Sequence, residues 1–405
     1  MIRRLFVVSV ILVQIILSIS MKIPFAVKGD EFPEIQPDWF KVEWEAQRTE
    51  SQATLWMCDW SPDGSMVAGV YFDRHVNIYN ASTGLLKHAF DIPETRTRCD
   101  GLVPAGIAYP MRYLAFSPDS KYLAVSGDDK LVHIYSTSDW IEQKQLSGHL
   151  GAVLCVNWSP NGTWLVSGSG REKINGTGVA ENVVKVWDVA TGKCIRTLAD
   201  QTAGPIISAR FSPGGSKLAV NSDDTTICIY ETGNLSLWKK LEGHTSGVLD
   251  CDWSLDEKRI VSGSRDYTAR VWDLDTGENE KYEHDNCVRG ARWSLANDYF
   301  LTSGIEKRAR IYNPAVSEPI VMFREGEKYD SNIMASRWSP DGLRFVSALG
   351  KSRYIVMYAM EEPVDEFIIF TKTRVGLGIF SLVSVVFVIM LVIRPFKKKL
   401  RRRRG

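Results

Sequence analysis

Along most of the chain, apolar and polar positions alternate with a period of two in short runs, and turn residues such as Pro-Asp-Gly and Thr-Gly separate the runs. This alternation predicts half-buried β-strands rather than helices, arranged as an all-β array. The pattern also repeats on a longer scale. Seven segments end in an aromatic followed by a serine turn: MCDWSPDG, YLAFSPDS, CVNWSPNG, SARFSPGG, DCDWSLDE, GARWSLAN and ASRWSPDG. Each is followed by a strand with a second aromatic, as in VNIYN, VHIYS, VKVWD, ICIYE, ARVWD, ARIYN and IVMYA. The two aromatics are 19 residues apart in five copies (Trp60 to Tyr79, for example), 20 apart in the seventh and 29 in the third. A spacing held across dissimilar fillers marks one supersecondary unit used seven times, and such units close into a ring of four-stranded blades.

Two apolar stretches depart from the period of two. Val375–Ile393 contains 19 residues without a charge or a proline. As a helix it would span about 28 Å, close to the hydrocarbon thickness of a bilayer. The tail that follows, residues 394–405, holds eight basic residues and no acidic one, the flank expected on the cytoplasmic side. At the other end, MIRR precedes LFVVSVILVQIILSIS, with Ser18 and Ser20 before Met21, the layout of a secretory signal. Cleavage after Ser20 and retention as a signal anchor give the same orientation, with residues 21–374 outside the cytoplasm. The expected organisation is a signal segment (1–20), a leader (21–38), a propeller (39–360), a linker (361–374), one transmembrane helix (375–393) and a basic cytoplasmic tail (394–405).

Charge changes the picture only once the ends are set aside. The whole chain has 49 basic and 48 acidic residues. Without the tail and Arg3 and Arg4, 39 basic residues face 48 acidic ones. An acidic exterior domain repels phosphate-rich ligands, so no nucleic-acid partner is expected.

The fifth copy, GHTSGVLDCDWSLDEKRIVSGSRDYTARVWDLDTG, has a Gly-His start, a Ser-Gly-Ser strand, a turn Asp and a Trp-Asp end, and the third copy carries VVKVWDVATG. In these residues the chain resembles the WD-repeat β-propeller family over about residues 39–360. The resemblance implies a seven-bladed propeller whose buried His, Ser, Asp and Trp form a structural set, here His244, Ser262, Asp266 and Trp272. His149, Ser167 and Trp187 match in the third blade, where an insertion displaces the Asp. Where Tyr replaces Trp the sets are incomplete and would rely on water. Asp129 and Asp224 look like calcium ligands, but their turn position favours a structural role. WFKVEWEA, residues 39–46, reads as an outer strand closing blade 7.

Few signals of chemistry remain. G-x-S-x-G, H-E-x-x-H and phosphate-loop motifs are absent, and the six His lack metal-ligand spacing. No cofactor or metal is expected, and the reading is a binding platform rather than an enzyme. Alternatives are an exterior propeller enzyme acting on carbohydrate, peptide or a redox substrate, and a membrane-anchored exchange factor with a cytoplasmic propeller, which the two basic ends oppose. Of the seven cysteines, Cys58, Cys155, Cys228 and Cys251 fall in strands as small hydrophobes, and Cys99 lies in a polar connection. Among the Asn-x-Ser/Thr sites, Asn175 in the blade 3 insertion is the best glycan acceptor, and Asn157, inside a strand, is expected to stay unmodified.

Two insertions, DIPETRTRCDGLVPAG after blade 1 and GSGREKINGTGVAEN within blade 3, share one face in a family propeller. The resemblance also implies that the residue before the turn Asp projects onto that face. The expected partner-binding residues are therefore Phe72, Asp128, Asp223 and Arg265, with Arg171 from the insertion; Phe72, Asp128 and Arg171 are expected to be the most exposed. This mixed chemistry fits a protein or peptide partner. The membrane would lie on the opposite, plain face.

Overall fold

The computed structural model describes residues 40–93, 111–170, 181–199, 204–296 and 298–360. They form seven four-stranded antiparallel sheets. In blade 1 the strands are Leu55–Trp60, Met66–Tyr71, His75–Asn80 and Leu86–Asp91, innermost to outermost. The innermost strands of successive blades pack on one another in sequence, and that of blade 7 (Ile333–Trp338) meets that of blade 1, so the ring closes. This is a seven-bladed all-β propeller. Among the described residues the one α-helix is Glu325–Lys328, in the connection before blade 7, and no helix is long and apolar enough to cross a membrane. The segments 1–38, 361–374, 375–393 and 394–405, with Cys99, Arg171 and Asn175, lie outside the described residues.

The serine turn has a local cause. In blade 1, Ser61 Oγ donates to Asp63 and accepts from the Met66 amide at 2.9 Å. The same amide-to-serine bond, five residues on, recurs at Ser117, Ser159, Ser212, Ser254 and Ser339. The turn passes through a left-handed residue, Gly64 at φ 71°, which explains Pro-Asp-Gly. The aromatic before the serine then packs between blades. Trp60 donates Nε1 to Arg337 O of blade 7, Trp158 to Ala115 O of blade 2, and Trp253 to Arg210 O of blade 4.

Blade 7 takes its outer strand from the start of the propeller. Phe40–Gln47 pairs antiparallel with Tyr354–Met360, Phe40 opposite Met360 and Gln47 opposite Tyr354. Phe40 lies edge-on to Phe323 and Phe345, at 5.5 and 5.8 Å. Trp44 donates to Ala81 O of blade 1 at 2.9 Å. Its ring covers Gly84, where a Cβ would sit 2.6 Å away. The strand thus completes one blade and grips the next, leaving no open edge there.

The axis is filled by charge. Tyr113 of blade 2 accepts hydrogen bonds at its hydroxyl from Arg210 of blade 4 (2.6 Å), Arg292 of blade 6 (3.0 Å) and Arg337 of blade 7 (3.2 Å). Buried Asp250 offsets part of this charge, 2.7 Å from Arg292 and 3.9 Å from Arg337. Burial pushes the thiols of Cys58 and Cys155 up to about 12, so both remain protonated fillers of the core.

Candidate partner-binding site

In blade 5, Trp272 Nε1 donates to Ser262 Oγ at 2.8 Å, Ser262 lies 2.8 Å from His244 Nε2, and His244 Nδ1 lies 2.8 Å from Asp266. Burial, only partly offset by Asp266, holds the His244 pKa below its ordinary value, so the ring is neutral. Burial raises the Asp266 pKa, but bonds from His244, Thr268 and the Thr245 amide outweigh it and hold the carboxyl well below the usual range. The coherent assignment has Nδ1–H donating to Asp266 and the Ser262 hydroxyl donating to Nε2. A serine, histidine and carboxylate in this order could activate a nucleophile. Here Ser262 is fully buried under Trp272, so no reacting atom can approach it. Replacing Asp266 by Ala leaves the His244 donor only the long 3.4 Å contact to Thr268 Oγ1 and is expected to cost about 1–3 kcal/mol in denaturant unfolding. Partner affinity measured below the melting range should not move.

Two further sets differ from expectation. In blade 3, His149 and Trp187 both meet Ser167 Oγ, at 2.7 and 2.8 Å, and the acid is Glu181 from the far end of the insertion. It lies 3.7 Å from His149 and accepts the Leu150 and Gly151 amides. In blade 6, Tyr312 OH reaches His284 Nε2 directly at 3.3 Å, and His284 Nδ1 pairs with Glu306 at 2.8 Å. This set closes without water. A glutamate at the turn position in SGIEK was the sequence signal for Glu306.

Asp129 in blade 2 is held by protein side chains, 3.0 Å from Arg74 and 2.9 Å from His133, which also pairs with Glu142. Asp224 bonds Thr226 at 2.7 Å. Among the described residues no group of His, Cys, Asp and Glu side chains is placed to hold a metal ion. Burial opposes charge on His133, but Asp129 and Glu142 raise its pKa, while His133 holds both carboxyls low. The raised His133 pKa stabilises most below its unfolded value of about 6.5 and loses its effect as pH rises through the folded pKa. The lowered carboxyls stabilise above their unfolded values near about 4. This group should therefore contribute most between those limits. His133→Gln is expected to flatten the fall in unfolding free energy between pH 5.5 and 8.

The decorated face carries the remaining candidates. Each innermost strand contains a β-bulge, at Trp56, Arg112, Leu154, Ile207, Leu249, Arg289 and Met334, four residues before the serine-turn aromatic. At the channel mouth surrounded by the innermost strands, the bulge residues of blades 1, 2 and 6 meet. Arg289 of blade 6 places its guanidinium 4.8 Å from the Trp56 ring of blade 1, across the intervening blade 7. Trp56 packs on Phe72 at 5.5 Å, and Arg112 stacks against both rings at 5.7 and 5.6 Å while forking onto Asp128.

The predicted residues separate into two groups. Phe72 (37% exposed) and Asp128 join through Arg112, whereas Asp223 and Arg265 form their own ion pair at 2.7 Å between blades 4 and 5. Asp128 is half-buried rather than among the most exposed, because Arg112 draws it down beside the rings. Arg265 directs its guanidinium onto Asp223. Trp56, Arg112 and Arg289 were not singled out from sequence, although their position recurs in every copy.

Comparison with known proteins agrees with this architecture. The family described as WD domain, G-beta repeat matches residues 109–136, 140–188, 192–231 and 235–273. Eukaryotic translation initiation factor 3 subunit I of Aspergillus oryzae is 26% identical over 217 residues, 50% of this chain and 61% of that protein. The U3 small nucleolar RNA-associated protein 15 homolog of Xenopus tropicalis is 30% identical over 151 residues, 36% of this chain and 28% of that protein. Protein hir-1 of Neurospora crassa is 24% identical over 374 residues, 76% of this chain and 34% of that protein. The chain thus spans less than two thirds of the relatives it matches. It carries WD40 repeats in a seven-bladed propeller.

Proposed function

We propose that this WD-repeat propeller is a membrane-tethered, extracytoplasmic scaffold that holds a protein or peptide partner on its decorated face. The observation that carries the binding role is the Trp56, Phe72, Arg112 and Arg289 cluster at the channel mouth. Aromatic rings backed by guanidinium groups are the chemistry that dominates protein interfaces. Supporting the tether are the 19-residue apolar stretch Val375–Ile393 and the basic flanks at both ends of the chain.

The test has two readouts. Protease added to intact cells should digest the propeller and spare a C-terminal epitope; protection of the propeller overturns the orientation. A photoreactive residue at Phe72 should crosslink a protein that the same residue at exposed Asn234, on the opposite face, does not. Equal capture from both sites overturns the assignment of the binding face.

A further inference from the structure

The plain face carries a pattern of its own. Within each blade, the turns between strands one and two and between strands three and four lie on this face. The chain also enters and leaves the propeller there, since Phe40 and Met360 pair at the outer edge of blade 7. Six apolar side chains stand out from these turns, 38 to 70% exposed: Leu255 in blade 5, Leu295 and Val316 in blade 6, Leu343 in blade 7, Leu85 in blade 1 and Ile141 in blade 2. They occupy positions that other blades give to different residues. Leu255 and Leu295 stand where the other five copies have Pro, and Leu85 and Ile141 stand where blades 3, 4 and 5 have Lys193, Ser236 and Glu278.

These residues form an arc over blades 5, 6, 7, 1 and 2, centred on the blade from which the chain departs. Blades 3 and 4, on the far side, turn through Asn161-Gly162, Thr191-Gly192, Gly214-Gly215 and Gly233-Asn234. From Met360, fourteen residues lead to Val375, at most about 50 Å when extended. The apolar stretch that follows can therefore begin no more than about 50 Å from the centre of the arc.

We infer that this arc rests on the lipid bilayer, so that the propeller leans on blades 5 to 2 and lifts blades 3 and 4. The inference rests on the tether proposed above. Individually the turn tips bury little apolar area, but a short tether supplies the local concentration that makes weak contacts effective. Charge selects the lipid. Asp256, Asp298 and Asp341, in the turns of Leu255, Leu295 and Leu343, are paired with Arg259 or Arg344, so this edge carries no surplus of positive charge to draw anionic headgroups. The matching surface is zwitterionic. The lean would keep the Trp56 cluster pointing away from the membrane.

The full-length chain in phosphatidylcholine vesicles tests this. With Cys99, Cys194 and the partly buried Cys287 replaced by Ser, an environment-sensitive fluorophore is attached to single cysteines introduced at Leu85, Leu295 or Leu343, and for comparison at Thr191 or Asn234. Lipids spin-labelled near the headgroup should quench the arc sites several-fold more than the blade 3 and 4 sites. Alkaline carbonate extraction of the same vesicles reads the tether separately. Release of the chain overturns the tether and the docking with it. Retention with arc labels as water-exposed as the comparison sites overturns the docking alone. Arc labels shielded from water but not quenched by lipid would mean that a protein or second copy covers the arc, and this too overturns the inference.

Discussion

Replacing Phe40 and Trp44 together by alanine is expected to remove most of the propeller's stability. Both side chains are buried in the closing strand, one against Phe323 and Phe345 of blades 6 and 7 and the other against Tyr79, Ala81 and Gly84 of blade 1. Truncating a buried aromatic to Ala costs about 3–5 kcal/mol. Two such losses approach the roughly 5–15 kcal/mol that holds a typical domain together. They also fall on the strand that joins the two ends of the ring, so its loss would leave the edge of Tyr354–Met360 unpaired and prone to association. Guanidinium unfolding followed by tryptophan fluorescence should show a midpoint far below wild type, and size exclusion should show aggregates. As a control, Leu237→Ala with Trp238→Ala alters the exposed outer strand of blade 4 and should move stability little. If the Phe40 and Trp44 variant lost less than about 2 kcal/mol, within the range of an ordinary point substitution, the closing strand would not be what holds the ring.

The ring itself was legible because its cause is local and repeated. The serine turn and the alternation of strands fix the 19-residue spacing in five blades independently, and WFKVEWEA announced itself as a spare outer strand, observed at Phe40–Gln47. The channel mouth was harder to see for a specific reason. Strict alternation places the residue four before the serine-turn aromatic on the same side as that aromatic, between blades. The β-bulge inserts one residue and turns Trp56, Arg112 and Arg289 toward the axis instead. Partners across the axis are also distant in sequence, as Tyr113 and Arg337 are, and no local pattern pairs them. Glu181 and Glu306 were missed on chemical grounds. A glutamate reaches one methylene further than the expected aspartate, so Glu181 can approach His149 from the far side of an insertion and still meet the Leu150 and Gly151 amides.

Trp56→Ala is expected to weaken partner binding by about 2–4 kcal/mol, roughly 30- to 1,000-fold, the range of a central aromatic anchor. Trp56 lies at the centre of the cluster, touching Phe72, Arg112 and Arg289, which come from blades 1, 2 and 6. Its removal therefore takes away the surface on which both guanidinium groups are stacked as well as its own contact area. The fold should tolerate the change, because Trp56 is only half-buried, at the margin of the core rather than within it. Titration calorimetry with the crosslinked partner, paired with a melting curve, separates the two effects. Arg265→Ala breaks the ion pair with Asp223 on the other group and should reduce affinity far less. The reverse ranking, with Trp56→Ala binding normally and Arg265→Ala failing, would move the partner site from the channel mouth to the rim of blades 4 and 5. Loss of binding together with a collapsed melting transition would instead assign Trp56 to the scaffold.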